Sequence, residues 1–245
     1  DPTEINNRLG WLQSPDWAAD RISEMESFAS EVKEAGYHHV VLLGMGGSSL
    51  GPEVMRKTFG SGVSYPQLIV LDSTHPAWVE SVVKAIEPAH TLFLVSSKSG
   101  TTIETMCLYR YFRRLVDDEL GKSEAGRNFA AITDEDTPLA RLAEKEWFRR
   151  CFINPDDIGG RYSVLSYFGL VPAALTGIDI RRLIEKAAYM QELCAPCVDT
   201  GANPGLWLGA LVGSCALHGR NKLTFITSPS VSTFGLWVEQ LLAES

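Results

Sequence analysis

The chain has 245 residues, of which 45% are hydrophobic and 21% are charged, as in an ordinary globular protein with a sizeable core. Its net charge of -8 argues against general nucleic-acid binding, for which clustered Lys and Arg are expected. A small anionic ligand is compatible with this charge, because a single loop can be positive on an acidic protein.

Membrane insertion, secretion and a disulfide framework are not expected from the sequence. The longest apolar stretch, 206–217, is too short for a membrane span and contains Gly and Ser. Residues 1–10 are polar and lack a signal-peptide pattern. The five cysteines are an odd number, and Cys194-x-x-Cys197 has no second pair nearby to complete a metal site. We therefore predict a cytoplasmic protein without a metal site.

Apolar strands alternate with helices through residues 14–153. A helix begins at Ser14, has an apolar stripe along one face and ends at Gly36. Strands are predicted at 39–43, 68–72, 92–95, 129–133 and 148–153, with a helix after each of the first four. This alternation predicts a parallel sheet with helices on both faces, a three-layer α/β/α sandwich. Ligands of such sheets lie at the carboxyl ends of the strands.

The pattern changes after residue 153. Residues 154–177 indicate a long connection with several Gly and Pro, followed by helices at 178–194 and 204–218, the second nearly all apolar and therefore buried. A strand at 223–227 and a helix through Glu244 resemble the start of a second sheet. We predict a first domain at 1–170 and, at 171–245, connecting helices with the first strand and helix of an incomplete second domain. Because the last helix stops without a C-cap, we expect a piece of a longer protein.

Residues 44–51 form a glycine-rich loop directly after the first strand. Gly44-x-Gly46 begins a dinucleotide-binding fingerprint, with Asp72 as the acid for a ribose, but Ser49 stands at the third glycine position. The same loop begins a P-loop but lacks its Lys-Ser/Thr. Neither nucleotide motif is complete, so a small sugar phosphate held between this loop and a second one fits better.

The second loop, 96–102 (SSKSGTT), is called the hydroxyl loop below. It has five hydroxyl side chains, one cation at Lys98, and Gly100, which permits φ > 0. A helix that begins at about Thr102 would direct its free N–H groups and its positive dipole end into the loop, which suits a phosphate monoester. The alternative is a helix-capping cluster, but one or two hydroxyls suffice for a cap, so the sequence favours phosphate.

Residues 157–163 (DIGGRYS) combine two glycines with an arginine. The glycines let the backbone turn sharply and bring Arg161 close to a ligand, where its fixed charge can stabilise a developing oxyanion. Arg161 could equally bridge the chain reversal to Asp156 or Asp157. The spacing alone does not separate these two interpretations.

Gln240 and Glu244 lie four residues apart and hence on one helix face. Composition alone gives Glu244 the character of a solvated surface carboxylate. The five histidines show no metal-ligand spacing, and none is assigned to catalysis.

Four segments together resemble the glucose-6-phosphate isomerase (phosphoglucose isomerase) family, whose members are built from two sugar-isomerase (SIS) domains. The segments are LGMGGSSLGP at 43–52, SSKSGTTIET at 96–105, DIGGRYSVLS at 157–166 and WVEQLLAES at 237–245. They occur in family order, and the bacterial branch, including its fusions with transaldolase, is the most similar. The resemblance implies a flavodoxin-like, five-stranded parallel sheet.

The resemblance also implies a phosphate cradle in two loops. Its members would be Ser48, Ser97, Lys98 (mainly through its backbone), Ser99 and Thr102. Ser99-Gly100 departs from the Thr-Phe that is common in the family, which keeps a hydroxyl and loses an aromatic ring.

Catalytic roles are implied for the remaining matched positions. Gly47 and Arg161 would border the sugar and stabilise the intermediate. Gln240 would contact the substrate, and Glu244 would be the catalytic base, in contrast to the surface role that composition gives it.

The reaction that the resemblance implies is the interconversion of glucose 6-phosphate and fructose 6-phosphate through a cis-enediol, without a metal or a cofactor, in a homodimeric protein. The family also uses a His and a Lys whose positions would lie beyond Ser245, so the isolated chain is expected to have little activity. Two other functions stay open. They are a non-catalytic SIS module that senses a sugar phosphate and an NAD(P)-dependent dehydrogenase.

Overall fold

Five parallel strands form the central sheet of the computed structural model, which describes residues 7–245. The strands are β1 (His39–Gly44), β2 (Gln67–Leu71), β3 (Thr91–Ser96), β4 (Phe129–Asp134) and β5 (Arg150–Asn154). Their order is β2-β1-β3-β4-β5, and every neighbouring pair is parallel. The flavodoxin-like, five-stranded sheet is therefore confirmed. Residues 1–6 of the predicted first domain lie outside the described residues.

Helices precede, connect and follow the strands. They are α1 (Ser14–Ala19), α2 (Ile22–Glu34), α3 (Leu50–Phe59), α4 (Pro76–Ala85), α5 (Ile103–Leu120), α6 (Pro138–Lys145), α7 (Tyr167–Leu175), α8 (Ile180–Leu193), α9 (Pro204–Leu217) and α10 (Phe234–Ala243). Local signals start several of them. Proline fixes φ in the first turn of α4 and α6, and the Thr137 hydroxyl caps α6 by accepting from the Ala140 amide at 3.1 Å.

The sheet has a separate apolar core on each face. Val40 and Leu42 of β1 belong to a core with α2, α7 and α8, whereas Val41 and Leu43 belong to a core with α4, α5 and α6. Successive side chains of a strand point to opposite faces, so an unbroken apolar strand is expected when both faces are covered. The predicted three-layer α/β/α sandwich is confirmed.

The long connection predicted at 154–177 contains helix α7, so that prediction is wrong over residues 167–175. All nine residues of α7 are buried, and the Tyr167 hydroxyl donates to Glu24 of α2 at 2.6 Å. A helix that is covered on every side has no polar face, so it lacks the periodicity by which a surface helix is recognised. The predicted boundary between the two domains, at residue 170, falls within helix α7, which shares a core with α2. This boundary stays a prediction.

Helix α9 forms as predicted, but its predicted burial is wrong. None of its residues is buried, and Leu206, Trp207 and Leu208 are 50%, 61% and 57% exposed. Apolar composition predicts burial only where another element covers the helix. Among residues 7–245 no element does so.

No strand forms at 223–227 in the part of the chain that the structure describes. A β-strand exists only with a hydrogen-bonding neighbour, and residues 220–228, which have no regular secondary structure, pair with none of the described strands. The helix predicted after it is present as α10. None of the helices within residues 7–245 has both the length and the apolar content that crossing a bilayer requires.

Candidate active site

Three loops meet where β1, β3 and β5 end, at the carboxyl edge of the sheet. They border a cleft of ≈ 380 Å³. Its lining residues are Met45, Gly47, Ser48, Lys98, Ser99, Thr102, Asp134 and Gly160. Five of the predicted phosphate or substrate residues are in this lining, and Ser97 joins them through its hydrogen bond to Thr102. The two glycine- and serine-rich loops therefore share one edge, as the parallel sheet predicts.

The hydroxyls of the hydroxyl loop do not cap helix α5. Thr102 is the residue before the helix, and its side chain makes no capping hydrogen bond. Its hydroxyl pairs instead with the Ser97 hydroxyl at 2.9 Å, and the Ser99 hydroxyl pairs with that of Thr101 at 2.9 Å. The first N–H groups of α5 thus keep their positive ends free for an anion. This geometry favours the phosphate interpretation over the capping cluster.

Backbone amides add further donors to the hydroxyl loop. Within residues 7–245, the N–H groups of Lys98, Ser99 and Thr102 donate to no acceptor. Gly100 sets the loop conformation with φ +65, and a Cβ there would lie 2.8 Å from the Leu139 amide nitrogen. Only glycine allows both this backbone conformation and this close approach to α6.

The glycine-rich loop after β1 lies directly against the loop that contains Arg161. A Cβ on Gly47 would lie 2.1 Å from the Gly160 carbonyl oxygen and 3.0 Å from the Arg161 nitrogen. The Ser163 hydroxyl donates to the same Gly160 carbonyl at 2.7 Å. Gly46, with φ +52, makes a similar approach to Gln240, whose Nε2 would be 2.8 Å from an added Cβ.

Arg161, Gln240 and Glu244 form one polar group beside the cleft. Arg161 Nη1 lies 3.9 Å from Glu244 Oε2, and Gln240 Nε2 donates to Glu244 Oε1 at 3.1 Å. The Arg161 side chain is 16% exposed and that of Glu244 is 52% exposed. Among the described residues, Glu244 is the ion-pair partner of Arg161. The sequence alternative, a bridge to Asp156 or Asp157, is not formed.

Tyr162 and Ser245 hold the guanidinium of Arg161 in place. Arg161 Nε donates to the Ser245 hydroxyl at 2.9 Å, and the Tyr162 and Ser245 hydroxyls are 2.8 Å apart. The Arg161 guanidinium carbon lies 4.7 Å from the centre of the Tyr162 ring. The hydrogen bond with Ser245, assisted by Arg161, lowers the pKa of the Tyr162 phenol from its usual value.

Asp134 is a residue of the cleft that sequence reasoning missed. Its carboxylate accepts a hydrogen bond from the Lys98 ammonium. Burial raises the pKa of Asp134, and the neighbouring Lys98 charge opposes that rise. The sequence contained one signal for a role in the site, because Asp134 ends β4 at the edge of the sheet where ligands are expected.

Asp72 and the Cys194-x-x-Cys197 pair are two further features of the sequence. Burial raises the pKa of Asp72, which directly follows β2. Cys194 and Cys197 are free and exposed, and residues 7–245 contain no group of three or more His, Cys, Asp or Glu arranged to hold a metal ion.

The fold and this edge define a flavodoxin-like α/β domain with a candidate anion site where β1 and β3 end. Residues 22–212 match the model of the phosphoglucose isomerase family, and the chain belongs to that family. The resemblance predicted from the four segments is therefore confirmed.

Curated relatives and solved structures agree with this assignment. The chain is 32% identical to glucose-6-phosphate isomerase of Staphylococcus saprophyticus over 97% of its own length and 55% of the relative's. For the Staphylococcus aureus protein of the same name the values are 34%, 97% and 55%. A hypothetical protein from Thermus thermophilus superposes with a TM-score of 0.84 at 29% identity, covering 100% of this chain and 56% of that one. A glucose-6-phosphate isomerase from Chlamydia trachomatis gives 0.75 at 25% identity, covering 92% and 43%. The chain thus spans about half the length of the curated relatives it matches.

Proposed function

We propose that the protein containing this chain interconverts glucose 6-phosphate and fructose 6-phosphate, as the names of its relatives suggest. One observation carries the proposal. The uncapped start of α5 and the hydroxyl loop share a cleft with the glycine-rich loop, and that loop lies against Arg161, the ion-pair partner of Glu244. An anion site on one side and a cation–carboxylate pair on the other suit a substrate with a phosphate at one end and a carbonyl at the other.

The phosphate end is proposed to bind the hydroxyls and amides of the cradle. Ser48, Ser97, Ser99 and Thr102 supply hydroxyls, and Lys98 supplies its backbone N–H. These contacts are remote from the reacting carbons. Their binding energy therefore serves to orient C1 and C2 of the open-chain sugar.

Glu244 is proposed to be the base that moves the proton. It removes the proton from C2 of the aldose, which leaves a cis-enediolate with its negative charge on O1. The hydroxyl proton of O2 then passes to O1, and Glu244 returns its proton to C1, so C1 is reduced to an alcohol while C2 is oxidised to a ketone. Gln240 orients the carboxylate through their 3.1 Å hydrogen bond. Arg161 stabilises the negative charge that develops on the oxygens, and Gly47, which lacks a side chain and so lets the Gly160 carbonyl approach, borders the sugar.

A Glu244→Gln substitution in the whole protein tests the proposal. Loss of the base should lower kcat by about 10²–10⁴-fold and leave KM nearly unchanged, because the amide keeps the shape of the site. Glu239→Gln is the matched control, since Glu239 is exposed on the same helix. In D₂O the wild-type protein should also exchange the C2 hydrogen of glucose 6-phosphate with solvent. Wild-type kcat in the Glu244→Gln variant would rule the mechanism out.

Ligand-induced thermal shifts separate the isomerase from the two other functions. Stabilisation by fructose 6-phosphate or 6-phosphogluconate supports an isomerase or a sensor, whereas stabilisation by NAD(P) would support a dehydrogenase. Turnover by the whole protein then distinguishes the isomerase from the sensor.

The proposal extends to the setting of the whole protein. It forms a homodimer, works in the cytoplasm, and has sugar phosphates as its small-molecule partners, with neither nucleic acid nor membrane among its partners. Light scattering of the whole protein tests the dimer.

A further inference from the structure

The ammonium of Lys98 is bound within the protein. Nζ donates to the carboxylate of Asp134 at the end of β4, and to the backbone carbonyl of Asp156, 2.9 Å away, just after β5. The Lys98 and Asp134 side chains are 30% and 15% exposed. One cation thus connects the ends of β3, β4 and β5. Its charge is already neutralised by a carboxylate, which leaves less of it for an external anion.

The backbone of the hydroxyl loop is attached to β4 without help from this ammonium. The Lys98 carbonyl accepts from the Asp134 amide at 3.1 Å and from the Thr133 hydroxyl at 3.2 Å. The Ser97 amide donates to the Ile132 carbonyl at 3.0 Å. These bonds involve main-chain atoms of the loop, so substitution of the Lys98 side chain leaves them in place.

The ammonium joins the start of the loop after β5 to the hydroxyl loop, whereas the middle of that loop is held separately by the Gly10 amide, which donates to the Asp157 carbonyl at 3.1 Å. Asp156 lies at the start of the loop after β5 and Arg161 at its end. The bond from Lys98 Nζ to the Asp156 carbonyl joins this loop to the hydroxyl loop. Because the Gly160 carbonyl lies against Gly47, a shift of this loop would move Arg161 relative to the phosphate cradle.

We infer that Lys98 is a positioning residue whose ammonium, paired with Asp134, ties the loop of Arg161 to the phosphate cradle and does not itself bind the phosphate. The identity of the ligand in this inference rests on the proposed function, whereas the tie between the loops does not. A sugar phosphate would therefore be held by neutral donors at its phosphate end, and Lys98 would act on its carbonyl end through Arg161.

Three variants of the full 245-residue chain test the inference. Lys98→Met with Asp134→Asn removes the pair and keeps the net charge and side-chain shapes. Lys98→Arg keeps a cation able to reach both acceptors. The control is Lys84→Met with Glu80→Gln, which removes an exposed pair on α4 with a 2.6 Å contact and likewise keeps the net charge.

Hydrogen exchange of residues 155–163 reports on the tie itself. We expect the Lys98/Asp134 double variant to exchange these amides about tenfold faster, because a lost anchor permits local opening. The Lys98→Arg variant and the control should match the wild type. Unchanged exchange in the double variant would overturn the inference, whatever the protein binds.

Calorimetric titration with inorganic phosphate and with fructose 6-phosphate reports on the ligand. In the double variant, phosphate affinity should stay within about twofold of wild type, while fructose 6-phosphate should lose about tenfold, since only its sugar end faces Arg161. A fall of about tenfold for both ligands would make the ammonium a phosphate ligand and overturn the inference. If the wild type binds NAD(P) and neither phosphate, the proposed function fails, and the exchange of 155–163 still decides the role of Lys98.

Discussion

Gly100 illustrates how a single residue positions the candidate phosphate cradle. Its φ of +65 lies in the left-handed region, and an added Cβ would approach the Leu139 nitrogen to 2.8 Å and the Thr137 Cβ to 2.9 Å. Both contacts are on or next to α6, whose first turn packs against the hydroxyl loop. An alanine here meets two penalties, one from the backbone conformation and one from contact with backbone atoms that have little freedom to move.

Gly100→Ala should therefore cost more stability than an alanine at a glycine of similar positive φ in open space. Gly36, after α2, has φ +76 and nothing within 4 Å of its would-be Cβ, so Gly36→Ala is the matched control. We expect a loss of about 1 kcal/mol for Gly36→Ala and about 2 kcal/mol or more for Gly100→Ala in urea unfolding. Equal losses at the two positions would show that the loop moves away from α6 without cost.

Glu244 is a single residue whose role could not be predicted from composition or periodicity. Composition gives it the character of a solvated surface carboxylate, and half of its side chain is indeed exposed. Its importance lies in a partner, Arg161, that is 83 positions away in the chain and 3.9 Å away in space. No local pattern contains that contact. Only the resemblance to a family indicated a role for Glu244, and that role stays a prediction until the base is substituted.

Among the elements, the strands of the sheet were the most predictable part of the chain. Their ends differ from the prediction by about two residues or fewer, because each is an apolar run bounded by loop residues. The parallel order then placed the two phosphate-type loops at one edge. The isolated apolar run at 223–227 had the same composition and forms no strand, since pairing depends on a neighbour that composition does not reveal.

Helices α7 and α9 show that apolar composition does not fix burial. Both lack a polar face, yet α7 is buried along its whole length and no residue of α9 is buried. The difference lies in what surrounds each helix. Helix α7 packs into the core that contains α2 and β1, whereas no described element covers α9.

A pair of leucine substitutions tests this difference. Leu170→Ala in α7, where the side chain is 0% exposed, should cost about 2–5 kcal/mol of unfolding free energy through lost contacts and a cavity. Leu208→Ala in α9, at 57% exposure, should change it by less than about 0.5 kcal/mol. The measurement is urea unfolding of the two variants beside the wild-type chain. A cost at Leu208 close to that at Leu170 would mean that α9 is covered in solution.

For the whole molecule, burial divides the chain into a sheet region with two cores and a region from about residue 194 onward with few buried side chains. Within 194–245, the buried residues of the described chain are Asn203 and Val238. The candidate site lies across this division. The phosphate side is built on strands of the sheet, while Gln240 and Glu244 lie at the end of the second region. The two sides of the site therefore differ in how firmly the fold holds them.

Hydrogen exchange of the full chain should make this division measurable. The amides of β1, β3 and α7 should exchange only with global unfolding, because their opening disrupts a core. The amides of α9 should exchange far faster, since a helix of 14 residues with no buried side chain is marginally stable in water. Helix α7 is the internal control, because it is shorter, at 9 residues, and equally apolar. Length alone would protect α9 better, and both helices contain residues of low helix propensity, Gly205, Gly209 and Gly213 in α9 and Gly169 and Pro172 in α7, so faster exchange in α9 indicates missing cover. Protection of α9 equal to that of α7, and rising with protein concentration, would contradict this prediction and show that a second copy covers the helix.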